Sequence, residues 1–400
     1  MNDVALLGSP LPAGWSLGHL ADVTSKVGSG ATPRGGNAVY VDSGISFIRS
    51  QNVYDHEFRT DGLVHITDDA AHQLRGVTVE SGDVLLNITG DSILRTCVVP
   101  SSVLPARVSQ HVAIVRSNGE VDPGFLQKWL SLPAMKDFML GYSSGGTRKA
   151  VTKGHILSFP IPLPPIVEQQ EIAATLRALD VKIASNRQMV TLIPQLIRAM
   201  VCNCLSTTAQ EVTVSSLAKF VNGGAYTKGA LGRGRMVIRI AELNSGPGAS
   251  TVYSDIDVPN DQTARPGDIL MSWSGSLGVY RWALDEAIVN QHIFKVLPTE
   301  GYPAWLVFER LDEVIPVFRA IAKDKATTMG HIQRGHLEST LVEVPSTSDI
   351  ATLDYQLGPL WERLLLTERE TVRLCALRDA LLPELLSGRI RVPDAQEAIT

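Results

Sequence analysis

Hydrophobic residues recur at alternating steps of four and three from residue 172 to residue 204 of the 400-residue chain. This spacing places the apolar side chains on one narrow seam of a helix, which is typical of a coiled coil. Pro162, Pro164 and Pro165 precede the seam and indicate that an extended segment ends there. Asn186 occupies one seam position, where a single polar residue usually determines register and partner choice. We therefore predict a long helix that pairs with one specific partner helix.

The partner helix is predicted within the same chain. Adding 181 to each seam position leads to residues 353 to 385, where seven of ten positions are apolar and Thr367 takes the place of Asn186. In an antiparallel pair we expect Asn186 to face Thr371 and Val190 to face Thr367, because this register groups the interior polar seam residues. The predicted seam consists of Ile172, Leu176, Leu179, Ile183, Asn186, Val190 and Ile193 in the first helix and Leu360, Leu364, Thr367, Thr371, Leu374 and Leu381 in the second.

The repeat extends to the segments that precede the two helices. SQHVAIV, from Ser109, aligns with NQHIFKV, from Asn290, and GDVLLNITG, from Gly82, aligns with GDILMSWSG, from Gly267. Short β-rich runs alternate with clusters of Gly, Asn, Asp and Ser. We therefore predict an α+β fold with an internal pseudo-twofold repeat, in which two globular domains with curved β-sheets are joined and spaced by two long helices forming an antiparallel coiled coil. The expected boundaries are 1–165 and 207–346 for the domains, 166–206 and 347–390 for the helices, and 391–400 for a C-terminal tail.

The composition is that of a globular protein, since 44% of the residues are hydrophobic and 19% are charged. The sequence has no uninterrupted apolar run of about 18 residues that would span a membrane. No secretory segment precedes Pro10, so we expect a cytoplasmic protein. The 4 cysteines are too few and too scattered for a disulfide framework, which predicts reduced thiols.

Motifs of common catalytic sites are missing from the sequence. It contains no phosphate loop ending in Gly-Lys-Ser/Thr, no His-Glu-x-x-His and no Gly-x-Ser-x-Gly. The DPGF stretch at Asp122 lacks the second proline of an amino-methyltransferase motif. His111 and His292 recur at matched positions beside Gln, but no nucleophile or carboxylate accompanies them, so we interpret both as structural. We predict that the chain has no catalytic residue, no metal site and no enzymatic activity.

These features together resemble one family, the specificity (S) subunits of type I restriction-modification systems. The resemblance is carried by the two GD motifs and by LPAGWSLGHLADV, SGGTRKAVTKGHILSFPIPLPPIVEQQEIAATLRALDVKI and LRDALLPELLSGRIRV. It implies a non-catalytic DNA reader in which each globular domain is a target-recognition domain for one half of a bipartite sequence. It also implies that two modification subunits dock on the helices, bring S-adenosylmethionine and methylate adenine, and that restriction subunits using ATP can join them. No cofactor is implied in the chain itself.

The length of the helices limits the gap in such a target. A helix of about 37 residues is about 55 Å long. At about 3.4 Å per base pair, the centres of the two half-sites would lie within roughly 16 base pairs of each other. We therefore expect the recognised DNA sequence to be split and gapped.

Charge indicates that any DNA-binding surface is local. The net charge is −5, and the segments 1–165 and 211–345 hold 13 basic against 14 acidic and 13 basic against 15 acidic residues. Base contacts are expected in loops that differ between the copies, and Arg49 and Arg239, at matched positions, are interpreted as structural or phosphate-facing. The candidate DNA-binding residues are Thr32, Arg34, Thr89, Arg95, Arg148 and Lys149 in the first domain and Lys228, Arg233, Arg235, Ser274, Ser276 and His331 in the second.

A second class of function fits the same architecture. Two sheet domains on a coiled coil could form a protein-interaction scaffold that binds no DNA, and a run of surface charge is often only solvated. The loops GSGATPRGGNAVYVDSG and NGGAYTKGALGRGR diverge between otherwise matched frameworks, as two readers of different half-sites would. This asymmetry favours the DNA reader.

Overall fold

The computed structural model describes residues 10–141, 150–228, 230, 232–324 and 331–393. Backbone contacts divide the chain into unit 1, with residues up to 184 and from 374 onward, and unit 2, with residues 185–373. Both unit boundaries fall inside the long helices, so each long helix contributes one part to each unit.

The first half of the chain forms thirteen strands and six α-helices in the residues described. The strands are β1 Ser16–His19, β2 Thr24–Ser29, β3 Tyr40–Val41, β4 Ile45–Ile48, β5 Val53–Tyr54, β6 Glu57–Phe58, β7 Val64–Ile66, β8 Thr78–Val79, β9 Val84–Asn87, β10 Thr96–Val98, β11 Ala106–Val108, β12 Val112–Ser117 and β13 Pro160–Leu163. The helices are α1 Leu20–Val23, α2 Asp68–Gln73, α3 Pro123–Ser131, α4 Pro133–Gly141, α5 Lys153–Leu157 and α6 Ile166–Thr208. Short 3-10 helices cover Gly36–Val39, Ser50–Asn52, Arg75–Val77 and Ser101–Val103.

The second half follows the same order with fewer elements. Its strands are β14 Gln210–Thr213, β15 Ala218–Asn222, β16 Arg235–Ile238, β17 Val252–Ser254, β18 Thr263–Ala264, β19 Ile269–Ser272, β20 Gly278–Arg281, β21 Ala287–Val289, β22 Ile293–Pro298 and β23 Leu341–Val344. Its helices are α7 Val214–Leu217, α8 Ile240–Ser245, α9 Ala304–Asp324, α10 Arg334–Ser339 and α11 Thr347–Leu386, with a 3-10 helix at Asn260–Gln262.

The sheets of the two units have matching strand orders. Unit 1 contains a four-stranded sheet β10-β9-β12-β2, a five-stranded sheet β3-β7-β4-β11-β8 and the pair β1-β13, besides the hairpin β5-β6. Unit 2 contains β15-β22-β19-β20, β17-β16-β21-β18 and β14-β23. The parallel pair β4-β11 of unit 1 corresponds to the parallel pair β16-β21 of unit 2. The predicted α+β fold with an internal repeat is therefore confirmed.

The long helices begin where the sequence predicts. In the first copy, β13 ends at Leu163, and α6 starts two residues after Pro164 because proline cannot continue a helix interior. It ends at Thr208, two residues beyond the expected boundary, and α11 ends at Leu386 rather than at residue 390. Pro194 lies inside α6, at a half-buried position.

Each globular domain packs on its parts of the long helices. In unit 1, Trp129 of α3 belongs to one buried cluster with Leu176 of α6 and Leu385 of α11. In unit 2, Trp305 of α9 packs with residues of α6 and with Leu357 of α11. Unit 1 holds the beginning of α6 with the end of α11, and unit 2 holds the converse parts, so the two helices run antiparallel.

Helix α6 contains a long apolar stretch that is not an uninterrupted apolar run. Residues 166–206 are long and apolar enough to cross a membrane by length and composition alone, with a mean hydropathy of 1.4 over 18 residues. Polar residues interrupt this stretch, which is why counting consecutive apolar residues overlooked it. One such helix carries little weight, because core helices of soluble proteins pass the same test, although only 17% of this 18-residue window is buried. The helix is therefore only weak evidence for a membrane span.

Candidate nucleic-acid interface

A chain of hydrogen bonds joins four polar side chains at one loop surface of unit 1. Thr32 Oγ1 donates to Gln110 Oε1 at 2.6 Å, and Gln110 Nε2 lies 3.1 Å from His111 Nε2. His111 Nδ1 lies 2.7 Å from Thr89 Oγ1. Thr89 is half-buried and the other three side chains are exposed. Folding thus brings the predicted Thr32 and Thr89 together through two residues that the sequence did not nominate.

A close backbone approach places Thr32 over the strand end. Gly30 N donates to Val112 O at 3.0 Å, and a Cβ on Gly30 would lie 1.8 Å from Val108 O. Only glycine fits such a contact. Ala31 N then bonds Val108 O, so that Thr32 follows directly beside the turn that carries Gln110. Arg34 is exposed two residues further on.

The predicted Arg95 is held on an aromatic ring. Its guanidinium lies 4.5 Å from the centroid of the Tyr54 ring, and the guanidinium of Arg59 lies 3.8 Å from the same centroid. Cation–π contacts of this kind orient arginine without neutralising its charge. Arg95 is half-buried. The predicted Arg148 and Lys149 lie outside the described residues.

The matched surface of unit 2 is aromatic. Trp273 lies with its ring centroid 5.0 Å from that of His292 and 6.5 Å from that of His331. Its Nε1 donates to Asn222 Oδ1 at 2.8 Å. A β-bridge links the buried Ser274 to the exposed His331, as the bridge between Thr89 and Ala150 does in unit 1. Ser276 is exposed nearby.

Two of the predicted basic residues of unit 2 are engaged in ion pairs. Arg233 Nε lies 3.1 Å from Asp255 Oδ2, and Arg235 Nη1 lies 2.9 Å from Glu286 Oε1. These carboxylates offset the positive charge that suggested a phosphate contact. Lys228 is exposed and, within the described part of the chain, has no hydrogen bond or ion pair. Of these three residues, Lys228 therefore presents its positive charge most freely.

The matched pair Arg49 and Arg239 caps equivalent turns. Arg49 Nη2 donates to Gly62 O at 2.7 Å, and Arg239 Nη2 lies 2.6 Å from Glu242 Oε1 and 2.7 Å from Ser250 O. The hydrogen bond with Glu242 raises the pKa of Arg239 above its usual value. Both guanidinium groups thus hold their own loops.

The predicted seam residues of α6 and α11 differ in burial. They are buried at Ile172, Leu176, Leu179, Ile183, Asn186, Ile193, Leu364, Thr367 and Leu381 and half-buried at Val190, Leu360, Thr371 and Leu374. Leu381 packs in the cluster that holds Leu176, and Leu364 packs in the cluster that holds Ile193. The polar seam residues Asn186 and Thr367, near the middle of their helices, are among the most buried, at 0% and 1% exposed.

Buried charges that sequence reasoning missed join the domain of unit 1 to its helices. Lys128 of α3 forms an ion pair with Asp180 of α6, and Arg378 Nη1 of α11 lies 3.4 Å from the same carboxylate. Lys128 Nζ also lies 2.8 Å from His56 Nδ1. Burial, then the charges of Lys128 and Arg378, lowers the pKa of His56 to about 2, so His56 is neutral and accepts. In unit 2, Arg281 Nη2 contacts Glu368 Oε2 of α11 at 2.7 Å.

Among the described residues, no group of three His, Cys, Asp or Glu side chains could hold a metal ion. Gln110, His111 and Trp273 are additions that folding makes to the candidate interface. The repeated Gln-His pair at 110–111 and 291–292 was the available signal in the sequence, but it was interpreted as structural because no catalytic partner accompanied it.

Known proteins with similar sequences and a similar fold were found for this chain. Residues 12–195 match the family model of the type I restriction modification DNA specificity domain. The chain is 29% identical over 142 residues to the type I restriction enzyme EcoBI specificity subunit of Escherichia coli, which covers 35% of this chain and 29% of that protein. It is 20% identical over 190 residues to the EcoKI specificity subunit of Escherichia coli K12, covering 47% and 41%. The matches thus span less than half the length of these relatives.

The fold is similar to that of a solved S subunit. The S subunit of a type I restriction-modification system from M. genitalium aligns with a TM-score of 0.63 at 13% identity, over 94% of this chain and 96% of that chain. At this identity the likeness concerns the fold alone.

Proposed function

Because the chain belongs to the family of type I restriction-modification specificity subunits, we propose that it is the DNA sequence-recognition subunit of such a complex. The match of residues 12–195 to the specificity-domain model is the observation that carries this proposal. The chain has no catalytic site of its own in this role. S-adenosylmethionine and ATP would be held by partner subunits, and the complex would work in the cytoplasm.

The target would be bipartite and gapped, with each globular domain reading one half of it. Two units of matching strand order support this proposal, because they present different side chains at equivalent places. Unit 1 presents Thr32, Gln110 and His111, whereas unit 2 presents Trp273 and His331. Equivalent scaffolds with different surfaces are what two readers of unlike half-sites require.

The long helices would dock two modification subunits. Several large apolar side chains on them are exposed, which is typical of protein interaction surfaces. In unit 2 these are Leu192, Leu196, Tyr355, Leu366 and Val372, and Tyr355 is 86% exposed. In unit 1, Ile166, Val167 and Val181 of α6 are exposed in the same way. Burying these side chains against a partner subunit would remove apolar surface from water and so favour docking.

A domain exchange tests the proposed function. Residues 20–160 are replaced by the equivalent segment of another family member, the chain is produced with its modification subunits, and methylated sites are mapped across the genome. Only one half of the methylated motif should change. The reciprocal exchange of residues 218–340 is the matched control and should change only the other half. If either exchange alters both halves, modular reading by the two domains is wrong.

A further inference from the structure

Gln110 lies exposed at the turn between β11 and β12, and its amide is held from two sides. Thr32 Oγ1 lies 2.6 Å from its Oε1, and His111 Nε2 lies 3.1 Å from its Nε2. Long polar side chains at surfaces normally lose rotamer freedom when they bind a ligand, which weakens binding. An amide that is oriented beforehand avoids part of that loss.

The hydrogen-bonding capacity left on this amide is specific. A Gln amide has two N–H donors and two acceptor lone pairs on its oxygen. Thr32 uses one lone pair and His111 uses one N–H, so one N–H and one lone pair remain. If the amide were flipped, its N–H would donate to Thr32 and its oxygen would accept from His111. One N–H and one lone pair of the amide would still remain. His111 in turn is oriented by Thr89, 2.7 Å from its Nδ1.

One donor beside one acceptor matches the major-groove edge of adenine. Adenine presents the N7 acceptor next to the N6 donor, whereas guanine presents two acceptors there. We propose that Gln110 is a specificity-determining residue that reads one adenine in the half-site of unit 1, with Thr32 and His111 as positioning residues. This inference rests on the proposed function and adds to it the base and the side chain that reads it.

Unit 2 carries the same glutamine without the same support. Gly223 N donates to Ile293 O at 3.0 Å, as Gly30 N does to Val112 O, which makes Ala225 the counterpart of Thr32. Alanine has no hydroxyl to orient Gln291. The ring of His292 packs on Trp273 instead, and within the described part of the chain the Gln291 side chain makes no hydrogen bond. Adenine reading by an oriented glutamine is thus particular to unit 1.

The test uses the complex of this chain with its modification subunits and a duplex that carries the methylated motif. Each adenine of the unit 1 half-site, on either strand, is replaced in turn by 7-deazaadenine, which lacks the N7 acceptor but pairs normally. At one position the Kd of the wild-type complex should rise about tenfold, as expected when part of a two-pronged base contact is lost. The complex with Gln110→Ala should bind the unmodified duplex more weakly and should be insensitive to the replacement at that position. Thr32→Val, which removes only the hydroxyl, should retain part of the sensitivity.

Gln291→Ala is the matched control, because it removes the same side chain from the other unit and should leave the response in the unit 1 half-site unchanged. Retained discrimination in the unit 2 half-site shows that Gln110→Ala is folded. Equal sensitivity of the wild-type and Gln110→Ala complexes at every adenine would overturn the inference while leaving the proposed function intact. A half-site without any sensitive adenine would do the same. A wild-type complex that prefers no sequence over random duplex would overturn both.

Discussion

Asn186 Nδ2 donates a hydrogen bond of 2.8 Å to Glu370 Oε2 across the two long helices. Asn186 is fully buried, and within the described residues its Oδ1 has no partner. The sequence pattern predicts Thr371 as the residue that faces Asn186. Thr371 Oγ1 instead donates to Thr367 O of its own helix at 2.7 Å, so the carboxylate of the adjacent Glu370 takes the bond. A seam threonine can satisfy itself within a helix, whereas asparagine needs a partner from outside.

The helix register can be tested by crosslinking. With Cys97, Cys202, Cys204 and Cys375 replaced by serine, cysteines at 186 and 371 should form a disulfide readily, because antiparallel pairing in this register brings their Cβ atoms close. Cysteines at 186 and 367 are the control and should crosslink poorly. Mass spectrometry of the peptides measures both yields. Efficient crosslinking of 186 to 367 would mean that the pair is slipped or parallel.

Asn186→Leu should raise the free energy of unfolding by about 1 kcal/mol, since it removes a buried carbonyl oxygen that lacks a partner. Glu370 is only half-buried and can turn to water. Urea denaturation measures the change. Thr367→Val serves as the comparison, because the Thr367 hydroxyl is already bonded to Arg363 O at 2.8 Å and its loss should bring no gain. A lower stability of Asn186→Leu would show that the bond to Glu370 outweighs the unpaired oxygen.

Lys128→Met should lower the free energy of unfolding by about 3 kcal/mol, because it leaves Asp180 poorly compensated in a buried site. The Lys128 side chain is only 4% exposed. Lys136 forms an ion pair with Asp55 that is more exposed than the pair of Lys128. Lys136→Met should therefore lower the free energy of unfolding by about 1 kcal/mol or less. The double variant Lys128→Met with Asp180→Asn should recover part of the loss in denaturant titrations. Equal costs at Lys128 and Lys136 would argue against a tightly coupled buried ion pair.

His56 should make the protein less stable in mild acid. Its pKa is about 2 in the folded state, whereas an unfolded histidine titrates near 6.5, so below about 6.5 the unfolded chain binds the extra proton. The stabilisation is complete above that pH and is lost as the pH falls from about 6.5 toward 2, by about 1.4 kcal/mol per pH unit. Asparagine tolerates the backbone φ of 65° at this position.

Between pH 7 and pH 5, the wild type should therefore lose roughly 2 kcal/mol more stability than His56→Asn. Denaturant titrations at several pH values measure the difference. Parallel curves for the two proteins would show that His56 is not held neutral in the fold.

The isolated chain should transfer no methyl group to DNA, since its sequence contains no recognisable cofactor loop or catalytic constellation. Labelled S-adenosylmethionine and a duplex carrying the methylated motif give the readout. The same chain together with its modification subunits is the positive control and should label that duplex. Labelling by the purified chain alone would assign catalysis to it.

The sequence by itself determined the helices, the repeat and the strands around the GD motifs. The heptad spacing from Ile172 onward and the proline-rich start of α6 act over a few residues, so they can be recognised without knowing the fold. The matched motifs similarly predict matched strands, and β9 and β19 occupy equivalent places in their sheets. Local periodicity was sufficient for the helices, and the repeat was recognisable because the two copies retain similar motifs in the same order.

Only the tertiary structure decided which side chains meet. Thr32 and Gln110 are 78 residues apart in sequence, and Lys128 and Asp180 are 52 residues apart. Arg233 was nominated for DNA from its charge, yet folding places Asp255 against it. Sheet topology and the packing of domains on helices set these distances, and a local pattern of residue types does not reveal which strand ends adjoin. The charge and hydrogen-bonding capacity of each candidate side chain are therefore properties of the folded surface.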